Sequence, residues 1–165
     1  MEAEEVKVTC STRLSGADDA RLVEEAFRNL FPEVETKNFE RRPTSFPMPA
    51  DEVQWTFDDL NLDHILKIIR ENRVLDTALD AMSQSLRGGK TLFRLSRQAA
   101  LAKKVSFCLP GEQALGGCFD ITLEAVHLSD WLEEVTWHRG REEISRKIRD
   151  ERAMSNDGRA REWFS

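Results

Sequence analysis

Apolar and polar positions alternate strictly in two stretches of the chain. EVKVTCS (Glu5 to Ser11) sets Val6, Val8 and Cys10 against Lys7, Thr9 and Ser11. Cys118 to Glu124 sets Phe119, Ile121 and Leu123 against Asp120, Thr122 and Glu124. A period of two predicts half-buried strands. Elsewhere the apolar period is helical. Leu22, Val23, Ala26, Phe27 and Leu30 form one stripe within Ala17 to Phe31, with Asp18 and Asp19 in its first turn and Pro32 ending it. Leu62, Ile65, Leu66 and Ile69 form a second, and Leu75, Ala78, Leu79, Met82 and Leu86 a third, which Gly88-Gly89 would close. Trp131, Leu132 and Val135 form a fourth after Ser129 as cap. Shorter strands are expected over Val34 to Arg41, VQWTF (53–57), Thr91 to Leu95 and Val105 to Leu109, with a short helix over Arg97 to Lys103. Arg41 to Ala50 holds three prolines in ten residues and is a loop.

Short alternating strands interspersed with helices predict an α+β domain. Its sheet should be mostly antiparallel, with helices packed on one face in two layers. At 165 residues the chain suits one such domain, assigned to 1–138, followed by a charged helical extension over 139–165. No apolar run reaches membrane-crossing length and the acidic start MEAEEVKV lacks a signal pattern, so a cytoplasmic location is expected. Cys10, Cys108 and Cys118 are widely spaced and read as buried structural thiols, without metal or redox role.

The net charge of −6 hides a segregation. Residues 1–80 carry 10 basic and 18 acidic groups, residues 112–165 carry 8 and 12, and residues 81–111 carry 6 and none. The six are Arg87, Lys90, Arg94, Arg97, Lys103 and Lys104. A segment without a local anion suits phosphate contacts, with Gln98 and Ser96 as further donors. The plainer alternative is that these cations pair with acids elsewhere in the fold.

Enzymatic motifs fall away one by one. GGKT (Gly88 to Thr91) resembles the end of a phosphate-binding loop, but Gln84 stands where a glycine is needed, and a helix precedes where a strand should. His64, His127 and His138 have no second ligand at helical spacing, and the carboxylate pairs Asp58-Asp59 and Glu133-Glu134 are explained by capping and solvation. No serine stands in a nucleophile-elbow context, and Cys108 lacks a neighbouring base. The chain is therefore read as no enzyme, with no cofactor.

RVLDTALDAM (Arg73 to Met82) followed by FRLSRQAALAKKVSF (Phe93 to Phe107) resembles an archaeal RNA-binding-domain family described as predicted exosome subunits. Its members carry an Arg-Ile-x-Asp-Thr-Ala-Arg helix and a Leu-Asn-Lys-Gln-Ala-Ala-x-x-Gly-Lys-Val-x-Phe segment. Arg73, Asp76, Thr77 and Ala78 match the first, and Leu95, Gln98, Ala99, Ala100, Lys104, Val105 and Phe107 the second. Leu79 replaces the first motif's last arginine, Ser96 the asparagine, Arg97 the lysine and Lys103 the glycine. The resemblance implies a fold similar to the ribosomal protein that carries 5S RNA, and RNA binding without catalysis. With the carboxylate-free segment, the RNA-contact set expected is Arg73, Arg87, Lys90, Arg94, Arg97, Gln98, Lys103 and Lys104. The alternative is a protein-interaction module or homodimer that uses the same basic face on an acidic partner. Asp76 could contact RNA or pair with Arg73 one turn away.

Overall fold

A computed structural model describes residues 5–16, 18–34, 53–112 and 114–142. Five strands, β1 (Lys7–Leu14), β2 (Val53–Phe57), β3 (Lys90–Ser96), β4 (Phe107–Cys108) and β5 (Cys118–Glu124), form one sheet in the order β2-β1-β5-β3-β4. Every pairing is antiparallel. The helices are α1 (Ala20–Leu30), α2 (Asp63–Glu71), α3 (Leu75–Ser83), α4 (Arg97–Leu101) and α5 (Leu128–Val135), followed by a 3-10 turn, Arg139–Glu142. The α+β expectation holds.

The register explains why one sheet face is core. Cys10 lies between Phe57 and Ile121, and Ile121 between Cys10 and Phe93, so the apolar positions of four strands form a single row. Those rows and the helical stripes bury one common core. At its centre Phe27 of α1 stacks on Phe57 at 4.1 Å between ring centroids and meets Phe119 edge-on at 6.0 Å. The opposite face of the sheet carries the polar half of each alternation and is half-buried to exposed.

Several element ends differ from the sequence reading. α1 begins at Ala20 because Asp19 is its cap, accepting from the Arg21 N–H at 3.0 Å, while Asp18 turns away to other partners. α3 ends at Ser83, and Gly88-Gly89 instead form the tight turn into β3, with Arg87 and Lys90 exchanging both backbone hydrogen bonds. Gly88 and Gly89 have φ of 55° and 79°, and a Cβ on Gly89 would strike the Ala125 carbonyl. α5 starts at Leu128 after His127, so Ser129 is inside the helix and not its cap. β4 is only two residues, and α4 stops at Leu101. The expected strand over Val34 to Arg41, apart from Val34, and the proline-rich loop lie outside the described residues, as does the extension beyond Glu142.

β3 has a bare edge upstream of β4, which covers only Arg94 and Leu95. The Ser85 hydroxyl occupies it, accepting from the Leu92 N–H at 2.9 Å and donating to the Leu92 carbonyl at 2.6 Å. One side chain thus substitutes for the missing strand. Thr91 locks the same region by donating to the Met82 carbonyl at 2.6 Å, which fixes α3 to β3.

Candidate nucleic-acid interface

The eight residues singled out by the sequence do not share one surface. Lys90 and Arg94 project from β3 onto the open face of the sheet, and both are exposed. Arg94 reaches its cross-strand neighbour, with Nε 3.0 Å from Asp120 Oδ1. That pair is about half in water, where an ion pair stabilises by at most about 1 kcal/mol, so the arginine can exchange its carboxylate for a phosphate. The register adds two rows that the sequence reading missed. Lys7, Glu124 and Lys90 lie side by side on β1, β5 and β3, and Ser11, Asp120, Arg94 and Cys108 form the second row. Arg13 is exposed on β1 in the same alternation as Lys7. Only strand pairing brings these cations together.

Arg97 is not on that surface. It is 5% exposed, and its guanidinium is fully engaged inside the fold. Nε donates to the Gly116 carbonyl at 2.6 Å. Nη1 donates to Thr12 Oγ1 at 3.0 Å and to the Arg13 carbonyl at 2.9 Å, and Nη2 donates to Asp18 Oδ1 at 3.0 Å. A Cβ on Gly117 would fall on the guanidinium, so this glycine is needed for the arginine to lie flat against the loop. Arg97 is a clamp that ties α4 to β1, to the entry of α1 and to the loop before β5. It is therefore removed from the contact set.

Arg73 and Lys103 have left-handed backbones, φ 59° and 61°. Each stands just past a helix. The Lys103 N–H donates to the Ala100 carbonyl and the Lys104 N–H to the Ala99 carbonyl, both at 2.9 Å. Arg73 and Val74 repeat the arrangement on Arg70 and Ile69. This is the Schellman closure, which usually places glycine at the left-handed position. The tight turn after α4 thus survives the replacement of the family glycine by Lys103. A side chain there costs about 1 kcal/mol, so Lys103→Gly should raise stability by roughly 0.5–1 kcal/mol in urea unfolding. A lower stability would count against the strained-turn account.

Lys103 and Lys104 are exposed beyond the end of α4, with Gln98 exposed on the same helix. The Asn29 side chain donates to the Ala100 and Leu101 carbonyls at 2.9 and 3.3 Å, which anchors that helix end to α1. Ser96 caps the start of α4, accepting from Ala99 N–H at 3.2 Å. Arg87 is exposed in the Gly88-Gly89 turn, and Arg73 lies at the α2–α3 corner.

Asp76, from the first motif, does not pair with Arg73. Its Oδ1 accepts from Arg141 Nε at 3.0 Å, from Arg141 Nη2 at 2.9 Å and from His138 Nε2 at 3.1 Å. The Gly140 N–H donates to His138 Nδ1, so Nε2 is the nitrogen that carries hydrogen toward Asp76. Partial burial pushes the Asp76 carboxyl up, but hydrogen bonds from Arg141 and His138, with the Arg141 charge, outweigh it and hold the carboxyl below its ordinary value. Residues 138–142 therefore dock onto α3, and the folded body extends past 138 to at least Arg141. Among the described residues, no three or more His, Cys, Asp or Glu side chains gather as metal ligands, and no helix is long and apolar enough to cross a membrane.

No family model matches the chain. It is 30% identical over 131 residues to a UPF0201 protein of Methanothermobacter thermautotrophicus, covering 76% of this chain and 89% of that protein. A UPF0201 protein of Sulfurisphaera tokodaii is 27% identical over 133 residues, covering 79% and 88%. Among solved structures, a UPF0201 protein from Methanococcus jannaschii superposes with a TM-score of 0.63 at 17% identity, over 81% of this chain and 96% of that one. A second UPF0201 crystal structure gives 0.59 at 21% identity, over 77% and 90%.

Proposed function

Because the chain belongs to the UPF0201 family of archaeal proteins, its site is best read on its own residues, and we propose that it is a non-enzymatic RNA-binding protein that grips structured RNA by its phosphates. The observation that carries this reading is the carboxylate-free stretch 81–111, whose cations Arg87, Lys90, Arg94, Lys103 and Lys104 are all exposed once Arg97 is set aside. Lys7 and Arg13 extend the set across the open face. Asp120 and Glu124 interrupt it, which weakens indiscriminate attraction of polyanions and leaves spaced cations that suit the regular phosphates of a duplex. Among the described residues no row of exposed aromatic side chains accompanies these cations for single-stranded bases to stack on, so double-stranded RNA is the favoured ligand. Likeness to the 5S-RNA-carrying ribosomal protein and a link to the exosome in RNA processing rest on the motif resemblance alone.

Contact with about four phosphates gives a log–log slope of affinity against salt near −3 to −4. The variant Lys90→Glu, Arg94→Glu, Lys103→Glu, Lys104→Glu should bind a 20-base-pair RNA duplex at least about tenfold more weakly at 0.1 M salt. Circular dichroism should meanwhile stay unchanged. Equal affinity in the folded variant overturns the reading. The second reading is self-association, favoured by the alternating row Lys7, Glu124, Lys90 and by Leu92, 43% exposed between the charged rows. Salt-sensitive dimers in light scattering without RNA uptake would select it.

A further inference from the structure

β4 and β5 flank β3, so residues 109–117 carry the chain from one side of that strand to the other. The two ends of this loop are Cys108, across from Arg94, and Cys118, across from Ser96. Both lie on the open face, and their sulfurs are 3.1 Å apart. Both are free thiols with partial access to solvent, whereas Cys10 is sealed in the core. Taken one at a time, as in the sequence, each cysteine is unremarkable, and only the sheet order makes the pair. We propose that Cys108 and Cys118 are a modification site, a dithiol that closes reversibly to an intramolecular disulfide and ties the two ends of the loop together.

The oxidant is a small-molecule disulfide such as oxidised glutathione. One cysteine thiolate attacks it, forming a mixed disulfide and releasing one glutathione thiol. The second cysteine thiolate then attacks the protein sulfur of that mixed disulfide and releases the second. Two protein thiols are oxidised by two electrons, one glutathione disulfide is reduced to two thiols, and the two protons pass to the glutathione sulfurs. The sulfurs must close from 3.1 Å to about 2.05 Å, and because β3 stands between the two strands, the backbone of the two-residue edge strand β4 must move inward with Cys108. Burial, the Cys118 thiol and Glu112 push the Cys108 thiol up to about 12, against the opposing charge of Arg94. Attack is therefore slow, and the disulfide once formed resists reduction because its leaving thiolate is poorly stabilised.

The loop is more than a connection. Gly116 and Gly117 supply carbonyls to Arg97, at 2.6 Å to Nε and 3.1 Å to the backbone N–H, and Leu115 and Gly116 line the groove between α1 and α4. On the other side, Leu109, Pro110 and Gly111 line a second groove with Arg94 and Phe107. Closing the disulfide fixes both walls and the Arg97 cradle at once.

The test is to incubate the full chain with oxidised glutathione, count thiols after denaturation and map linked peptides by mass spectrometry. Free thiols should fall from three to one, with Cys10 remaining, a mass loss of about two hydrogens and a peptide joining 108 to 118. The midpoint of thermal unfolding should rise by roughly 5–10 °C, reversed by a dithiol reductant. Cys108→Ser and Cys118→Ser should each abolish that rise and accumulate a glutathione adduct on the remaining partner. Three unreacted thiols in the wild type, stable glutathione adducts without an internal bond, or disulfide-linked dimers would each overturn the proposal. So would a rise that persists in either variant.

Discussion

Arg97→Met is expected to lower stability by about 3–5 kcal/mol at neutral pH, read as a fall in the urea midpoint with an unchanged slope. The side chain fits an apolar replacement by volume, but its partners do not. Removing the guanidinium strands the Gly116 and Arg13 carbonyls and Oδ1 of Asp18, whose side chain is itself only 21% exposed, while the Thr12 hydroxyl keeps its bond to the Cys118 carbonyl at 2.8 Å. A partly buried carboxylate without its cation is the costly remainder. Asp18 stays anchored by Ser15, whose N–H and hydroxyl donate to Oδ2 at 2.8 and 3.4 Å, so it cannot swing out to water without unwinding the entry to α1. Arg97→Lys should recover only part of the loss, because a single ammonium cannot span acceptors on three segments. Asp18→Asn should cost less than either. A loss below about 1 kcal/mol in Arg97→Met would show that the clamp contributes no more than a surface pair. The prediction also changes how an RNA experiment is read. Reversing Arg97 to glutamate would abolish binding by unfolding the protein, and so would say nothing about phosphate contact.

The difference between Arg97 and its neighbours marks the boundary of what the chain discloses before folding. β1 and β5 were legible because alternation is a local property, and the stripes of α1, α2 and α3 because each helix must hide one face wherever it lies. Burial of an arginine is not local. The Thr12, Arg13 and Asp18 partners of Arg97 stand 85, 84 and 79 positions away, and only the β1–β5–β3 order brings them to α4. Counting cations between Asp80 and Glu112 therefore treated a structural clamp as a surface charge. Two signals were present in Gly116-Gly117, ahead of a strong strand, and in Thr12 on the apolar side of β1, where a hydroxyl needs a partner. Lys103 shows the opposite case. It stands where the related motif has glycine, yet the helix end needs only a tolerable left-handed residue, and the two backbone bonds hold it there. β4 shrank to two residues because only Phe107 and Cys108 lie opposite β3 in register, and Leu109 already turns away, its carbonyl accepting from the Glu112 N–H at 3.0 Å. The open face was half legible. Its β3 cations follow from alternation, whereas their alignment with Lys7 and Glu124 depends on register, which no single strand encodes.

Arg141→Ala is expected to cost about 2–3 kcal/mol at pH 7, and to remove most of the protein's acid sensitivity near Asp76. The Arg141 side chain is 6% exposed and donates to Glu133 O, Thr136 Oγ1 and Asp76 Oδ1, so its loss leaves three acceptors on α3, α5 and the turn after α5. The cost is set below that of Arg97 because Asp76 is 45% exposed and water can replace part of the bond. The sign of the pH effect follows from the direction of the Asp76 shift. Its carboxyl is held below the ordinary value in the folded protein, so the stability it contributes is complete above about pH 4, where the unfolded chain also ionises it. That contribution disappears as pH falls through the lower folded value. The gap in urea midpoint between wild type and Asp76→Asn should therefore be widest at pH 6–7 and narrow steadily below pH 4. In the Arg141→Ala background the same substitution should show a much smaller gap, since the cation that depresses the carboxyl is gone. If Asp76→Asn leaves stability unchanged at pH 7 but weakens RNA binding, the motif aspartate serves the ligand and not the docking of 138–142. A stability loss with RNA affinity intact assigns it to the fold.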